Sequence, residues 1–343
     1  MTSERVRKPR TRPAQDVRLR DIALRSGVGV ITVSRAINHP GTVAEATRAR
    51  ILRAIDELGF IPNQVAGNLA RAKARIVGTV VPPLINSGIA EQVQGMSDML
   101  GERGMQLLIA QGEFTPESEE ALIRSLLGWR PAGLILQAYV QSGKAREAIL
   151  AREMPVIEIS EIDGGPPIGA AVGVSNFAAA YAMTRHLLAR GYERVGCIST
   201  PAHGNDRQSR RRLGYIRAVE EANGIPIEVE MPMTSAHGAA GLRALVAREP
   251  RLDAVFCASD TLAIGAIQEC HRLRWPIPAR IAIAGYGDLE LAEQLFPSLT
   301  TVRIRRREMG RVAAGMLLAI VNDGADRCEV RDMGFEIMAR ESA

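Results

Sequence analysis

The sequence predicts a small all-α helix-turn-helix headpiece joined to an α/β core of two doubly wound parallel-sheet lobes. Three observations carry that expectation. Residues 1–75 hold 15 Lys and Arg against 6 Asp and Glu, whereas the remainder holds 28 against 32. Before residue 60, apolar positions recur at helical spacing with glycines between the helical stretches. From Ile76 onward, short β-branched apolar runs alternate with helical stretches, the pattern of βαβ units.

Length and composition bound the rest. A chain of 343 residues, 46% of them hydrophobic, exceeds one ordinary domain and can bury sizeable cores. No apolar run approaches the roughly 18 residues of a membrane span, and no apolar segment follows the arginine-rich N-terminus. A cytoplasmic protein without a membrane partner is expected. Cys197, Cys257, Cys270 and Cys328 form no C-x-x-C pair, the five histidines have no ligand spacing, and all four cysteines read as buried thiols. No metal or cofactor is expected.

In the headpiece, LRDIALRS places Leu19, Ile22 and Ala23 on one helical face, and GVGVITVSRAIN follows. Gly27 and Gly29 have the spacing of a dinucleotide fingerprint, but Thr32 stands where the third glycine belongs and the preceding segment has helical spacing. The reading is therefore helix, glycine turn, helix. Val28, Val33, Ala36 and Ile37 would close the small core from the second helix, leaving Val30, Ile31, Thr32, Ser34, Arg35 and Asn38 on the other face. In a major groove Val30 and Ile31 suit thymine methyls, Arg35 suits a guanine edge, and Thr32, Ser34 and Asn38 suit phosphates. The alternative is that Val30 and Ile31 merely fill the core. A third helix follows, with Ile51, Ile55 and Leu58 on one stripe and Gly59 as terminator.

Residues 1–16 read as a basic arm expected to be disordered, 17–61 as the headpiece, 62–75 as a hinge helix and linker, and 76–343 as the core. In the hinge, Pro62 stops regular structure, Asn63 is a capping residue, and Val65, Ala66 and Leu69 make a helical turn too short to persist alone in water. The excess of basic charge fits phosphate neutralisation, and by itself it also fits a solubilising flank.

In the core, IVGTVVPPL, MQLLIAQG, AGLILQA, PVIEIS, AAVGVSN, RVGCIST, IEVEMPM, AVFCASD and IAIAGYG read as strands. The intervening helical stretches include SEEALIRSLLGWR and TLAIGAIQECHRLRW. Ligands of such sheets bind outside the carboxyl ends of the strands, so a cleft between the lobes is the default site.

The stretch VRLRDIALRSGVGVITVSRAINHPGTVAEATRARILRAIDELGFIPNQVAGNLA resembles the headpiece and hinge of the lactose-repressor (LacI) family. The similarity continues through VGVSNFAAAYAMTRHLLARGYERVGCIST, AVFCASDTLAIGAIQECHRL, IAIAGYGDLELA and PSLTTVRI. It implies a second helix reading the major groove, paired hinge helices of a homodimer with Leu69 wedging the minor groove, and a core similar to periplasmic binding proteins. In that fold the chain crosses between lobes near Val174, Arg303 and Gly334, giving lobe 1 about 76–173 and 304–333 and lobe 2 about 174–303 and 334–343. The chain departs from the family where Gly29 replaces a usual serine and where Gly67 and Ala70 replace polar or basic hinge residues. No leucine heptad follows GFEIMARESA, so a dimer is expected rather than a tetramer.

Within the family the wording of SLLGWRPAGLIL, PVIEIS and LDAVFCASDTLAIGAIQECHRL is most similar to repressors of gluconate metabolism. The partners so implied are double-stranded operator DNA and a small sugar-acid effector such as gluconate. Effector residues carried over are Asn86, Ser87, Glu158, Arg207, Arg211, Ser259 and Asp260. Arginine suits a carboxylate because its planar fork binds both oxygens, although Arg207, in DRQSRRR, also reads as a solvated helix start. Many relatives carry two aspartates near position 286; this chain has Gly287 and then Asp288, which counts against a neutral sugar. An enzyme is disfavoured, since Ser199, Ser259 and Asp260 lie near strand ends without a G-x-S-x-G elbow or a P-loop. A free-standing sugar-binding protein is disfavoured by the basic headpiece.

Overall fold

The computed structural model describes residues 17–60, 75–82, 87–113, 115–137, 139–140, 142–201 and 206–343. The arm, the hinge with Asn63 and Leu69, and Asn86 lie outside them. The chain divides into two units, 1–74 and 75–343.

The first unit contains α1 (Leu19–Ser26), α2 (Val30–Asn38), a 3-10 turn (Pro40–Thr42) and α3 (Glu45–Leu58). Asp21 accepts from the Arg18 N–H at 2.8 Å and so fastens the first turn of α1. Gly27, at φ +66°, closes α1 in the left-handed conformation that a side chain would resist and turns the chain toward α2. Ile22, Val33 and Ile51 are fully buried and, with Ala23, Ala36 and Ala54, form the core. Partly buried Leu19, Val28, Ile37, Ile55 and Leu58 close it.

The second unit contains two six-stranded sheets. The first is built from β1 (Ile76–Val81), α4 (Ser87–Gly101), β2 (Gln106–Gln111), α5 (Pro116–Gly128), β3 (Gly133–Leu136), α6 (Gly143–Leu150), β4 (Val156–Glu161) and β5 (Ala170–Val174). The second follows with α7 (Asn176–Ala189), β6 (Val195–Ser199), α8 (Asp206–Glu221), β7 (Ile227–Glu230), α9 (Ser235–Arg248), β8 (Ala254–Cys257), α10 (Asp260–Leu273), β9 (Ala282–Gly287), α11 (Glu290–Gln294) and β10 (Thr300–Arg303). The chain then returns through α12 (Arg306–Asp323) and β11 (Val330–Asp332) before ending in β12 (Glu336–Met338). The strand orders are β11-β5-β4-β3-β1-β2 and β12-β10-β9-β8-β6-β7.

Pairing is parallel except at β12, which runs antiparallel to β10 with Thr301 opposite Met338. The strands are nearly all apolar because helices cover both faces; Leu134, Ile135, Phe256 and Ile283 are fully buried. Three cysteines are buried as expected, but Cys328 is exposed. It follows α12 in an exposed turn where Asp326 accepts its N–H.

Candidate functional site

The headpiece presents one face of α2 outward. Val33 and Ala36 point into the core, and helical geometry sends Ile31 and Arg35, four residues apart, to the opposite side. Val30 is 45% exposed and Ile31 71%, so the core-filling alternative does not hold. Arg35 is exposed; Thr32, Ser34 and Asn38 are half-buried, and Asn38 Nδ2 donates to Ser34 Oγ at 3.4 Å. With Gly29 as the preceding residue, α2 has no side-chain cap, so its first N–H groups remain available at the positive end of the helix dipole.

A cavity of about 210 Å³ opens between the two sheets of the second unit. Its polar lining comes from strand ends and helix starts: Ser160 from β4, Asn176 opening α7, Arg207, Gln208 and Arg211 from α8, Ser259 before α10, Tyr286 from β9 and Arg306 opening α12. Gln92 of α4 also lines it, and Ile89, Val174, Met233, Leu289, Ile304 and Met309 supply apolar surface. Among the described residues no carboxylate lines this cavity.

Arg211 is held on three sides. Its Nε donates to Asn176 Oδ1 at 2.8 Å, its Nη1 donates to the Ala258 carbonyl at 2.9 Å, and its guanidinium lies 3.7 Å from the centre of the Tyr286 ring. Tyr286 Oη donates to the same Asn176 oxygen at 2.8 Å. Burial brings the Arg211 pKa down to about 10, which leaves it charged at neutral pH. Tyr215 anchors the helix beneath, donating to the Val195 carbonyl at 2.9 Å and accepting from the Ile227 N–H at 2.9 Å.

Two carried-over carboxylates do not reach the cavity. Glu158 is fully buried, and its two oxygens accept the N–H groups of Val140 and Ile168 at 3.0 and 2.9 Å. Burial pushes its pKa up to about 7. Asp260, also fully buried, accepts from the Thr301 hydroxyl at 2.6 Å and from the Leu289 N–H at 2.8 Å, and burial raises its pKa. Both oxygens of each already take protein donors, and neither residue lines the cavity. Asp288 is likewise occupied, by Arg303 at 2.6 Å and Arg340 at 2.7 Å. Arg207 is buried with Asp206 at 4.0 Å, which removes the solvated reading. Ser259 Oγ accepts from the Thr261 N–H at 3.3 Å while lining the cavity, and Ser87 opens α4.

Residues 18–63 match the bacterial regulatory proteins of the lacI family, and residues 184–343 match a periplasmic binding protein-like domain. The HTH-type transcriptional regulator GntR of Escherichia coli is 33% identical over 321 residues, 93% of this chain and 96% of that one. The chain belongs to the LacI family. Another LacI-family relative, the regulator GntR of Pseudomonas aeruginosa, is 35% identical over 94% of this chain and 95% of its own. A crystal structure of a LacI-family regulator from Silicibacter pomeroyi superposes with a TM-score of 0.88 at 31% identity, covering 95% of this chain and 99% of that one. The protein is a DNA-binding transcriptional regulator rather than an enzyme, as its whole-chain LacI-family relatives are.

Asn176, Tyr286, Arg306, Gln92, Ser160 and Gln208 were not among the residues read from sequence. Four of them, Ser160, Asn176, Tyr286 and Arg306, stand at or shortly after a strand's carboxyl end, the side on which doubly wound sheets bind ligands. That positional rule was the signal available. Among the described residues no group of three His, Cys, Asp or Glu is placed to hold a metal ion, and no helix is long and apolar enough to cross a membrane.

Proposed function

We propose that this regulator is a cytoplasmic, homodimeric repressor of sugar-acid metabolism genes, released from its operator by gluconate or a close derivative bound between the core lobes. The observation that carries the reading is a cavity lined by three guanidinium groups and, among the described residues, by no carboxylate. Asp206 stands beside Arg207, and Asp260 lies behind Arg306, so two of the three cations have an acidic neighbour. Among the described residues Arg211 forms no ion pair with a carboxylate. One uncompensated cation fits one carboxylate, since a buried charge without a counter-charge is costly. Ser160 and Ser259 are suited to the hydroxyls of an acyclic sugar chain, while Asn176 is taken up in holding Arg211 and Tyr286. Arg35, Val30 and Ile31 would read base edges, with Thr32, Ser34 and Asn38 on phosphates.

The homodimer is supported by apolar surface on the second lobe: Phe296 is 83% exposed and Leu291 50%. An effector with different affinity for two lobe spacings shifts operator affinity by the factor that operator imposes on effector. In operator-release titrations, Arg211→Ala should bind operator as the parent does and lose the response to gluconate. Release at the parent's gluconate concentration would remove Arg211 as anchor. Release of the parent by a neutral or phosphorylated sugar, with no sugar acid active, would replace the gluconate assignment.

A further inference from the structure

We infer that Arg306 is a second guanidinium for the effector's carboxylate and the strut by which its capture changes lobe spacing; this rests on the sugar-acid reading above. Arg306 opens α12, the helix that carries the chain from the second sheet back to the first. That helix is locked to the first lobe. A Cβ on Gly310 would lie 2.1 Å from the Gln92 carbonyl oxygen, and one on Gly95 would lie 2.0 Å from the Arg307 oxygen, so the backbones of α4 and α12 touch. From this fixed base the Arg306 side chain reaches the other lobe, where Nη1 donates to the Gly287 carbonyl at 2.6 Å.

Two glycines keep room for the guanidinium. A Cβ at Gly88 would stand 2.7 Å from its Nε, and one at Gly287 would stand 3.1 Å from Nη2, at a φ of +140° that side chains resist. Asp260 attracts Arg306 through space, but its oxygens are already bound to Thr301 and Leu289. Arg306 forms no ion pair within 4.0 Å among the described residues, and its Nε and Nη2 take no protein acceptor there. The donors left over therefore face a cavity that Arg211, from the second lobe, also lines. A carboxylate held by both arginines ties lobe 1 to lobe 2 through one anion.

The test pairs calorimetric binding of gluconate, and of 2-keto- and 5-ketogluconate, with operator release followed by fluorescence anisotropy. Arg306→Met keeps the apolar stem and removes the charge. It should bind the sugar acid about ten- to a hundred-fold more weakly and, measured against its own effector-free operator affinity, release operator incompletely even at saturation. Arg306→Lys should recover part of the affinity without full release, because an ammonium lacks the planar fork that spans both carboxylate oxygens while still reaching the Gly287 carbonyl; it carries the test if the Met variant unfolds early. A Met variant that binds within about threefold of the parent and releases fully would reduce Arg306 to a static brace and overturn the inference. If the parent binds none of the three acids, the sugar-acid reading falls and this inference with it; parent binding with an unaltered variant sinks the inference alone.

Discussion

The α2 face of the headpiece and the cavity of the core are both candidate sites of mixed polar and apolar side chains, yet they are assembled in opposite ways. The α2 face spans nine consecutive residues, Val30–Asn38, and its outward set follows from helix periodicity once Val33 and Ala36 are buried. The cavity draws on β4, β9, α4, α7, α8, α12 and the loop before α10, so residues as distant as Gln92 and Arg306 meet. The first site depends on one small core holding a helix; the second depends on many long-range contacts, each able to redirect a side chain.

The largest expected effect separates the two. Ile51→Asp places a charge in the fully buried centre of the headpiece core, at a cost of more than about 3 kcal/mol, enough to unfold a unit of this size. Operator binding should vanish while the second unit's melting transition and its shift by gluconate stay as in the parent. Loss of the gluconate shift would show that the two sites are not separable in this way.

A smaller effect sharpens the reading of α2. Arg35→Ala should weaken operator binding by about 1–3 kcal/mol and relax preference at one base position, with little change on random DNA. Equal losses on both DNAs would make Arg35 a phosphate contact.

On the core side, Glu158 gives a pH signature. Its folded pKa is raised from the ordinary 4.5 to about 7. The folded state therefore holds its proton where the unfolded chain has lost it, and stability falls as pH rises through that window, by roughly 3 kcal/mol. Glu158→Gln should flatten this slope in thermal unfolding of the core from pH 5 to 7.5. An unchanged slope would assign the pH dependence to other groups.

The smallest effect belongs to the headpiece. Gly29 has φ −71° and a Cβ there would meet nothing within 4 Å, so Gly29→Ser supplies a missing cap without strain. Headpiece stability should rise by a few tenths of a kcal/mol, read by chemical denaturation; a decrease would mean that the serine hydroxyl does not reach the helix N–H groups.

How much of each site was legible follows from the same contrast. Leu19, Ile22, Ala23, Val33 and Ala36 could be assigned inward from spacing alone, and exposure of Val30 and Ile31 then removed the core-filling alternative. In the core the alternation of strands and helices was readable, and Arg207 and Arg211 do line the cavity. Glu158 and Asp260 sit where the strand ends place them, but their oxygens went to loop N–H groups and a threonine hydroxyl that no local pattern displays.

By itself the sequence determined the helix-turn-helix, the two βαβ series and the basic first unit, because periodicity, glycine placement and charge act over a few residues. Tertiary structure decided which polar groups face the cavity. Asn176 and Tyr286 orient Arg211, and Gly88 and Gly287 admit Arg306, only because separate segments of the chain converge there, Asn176 and Tyr286 themselves being 110 residues apart, and an arginine's partners are set by what surrounds it in space.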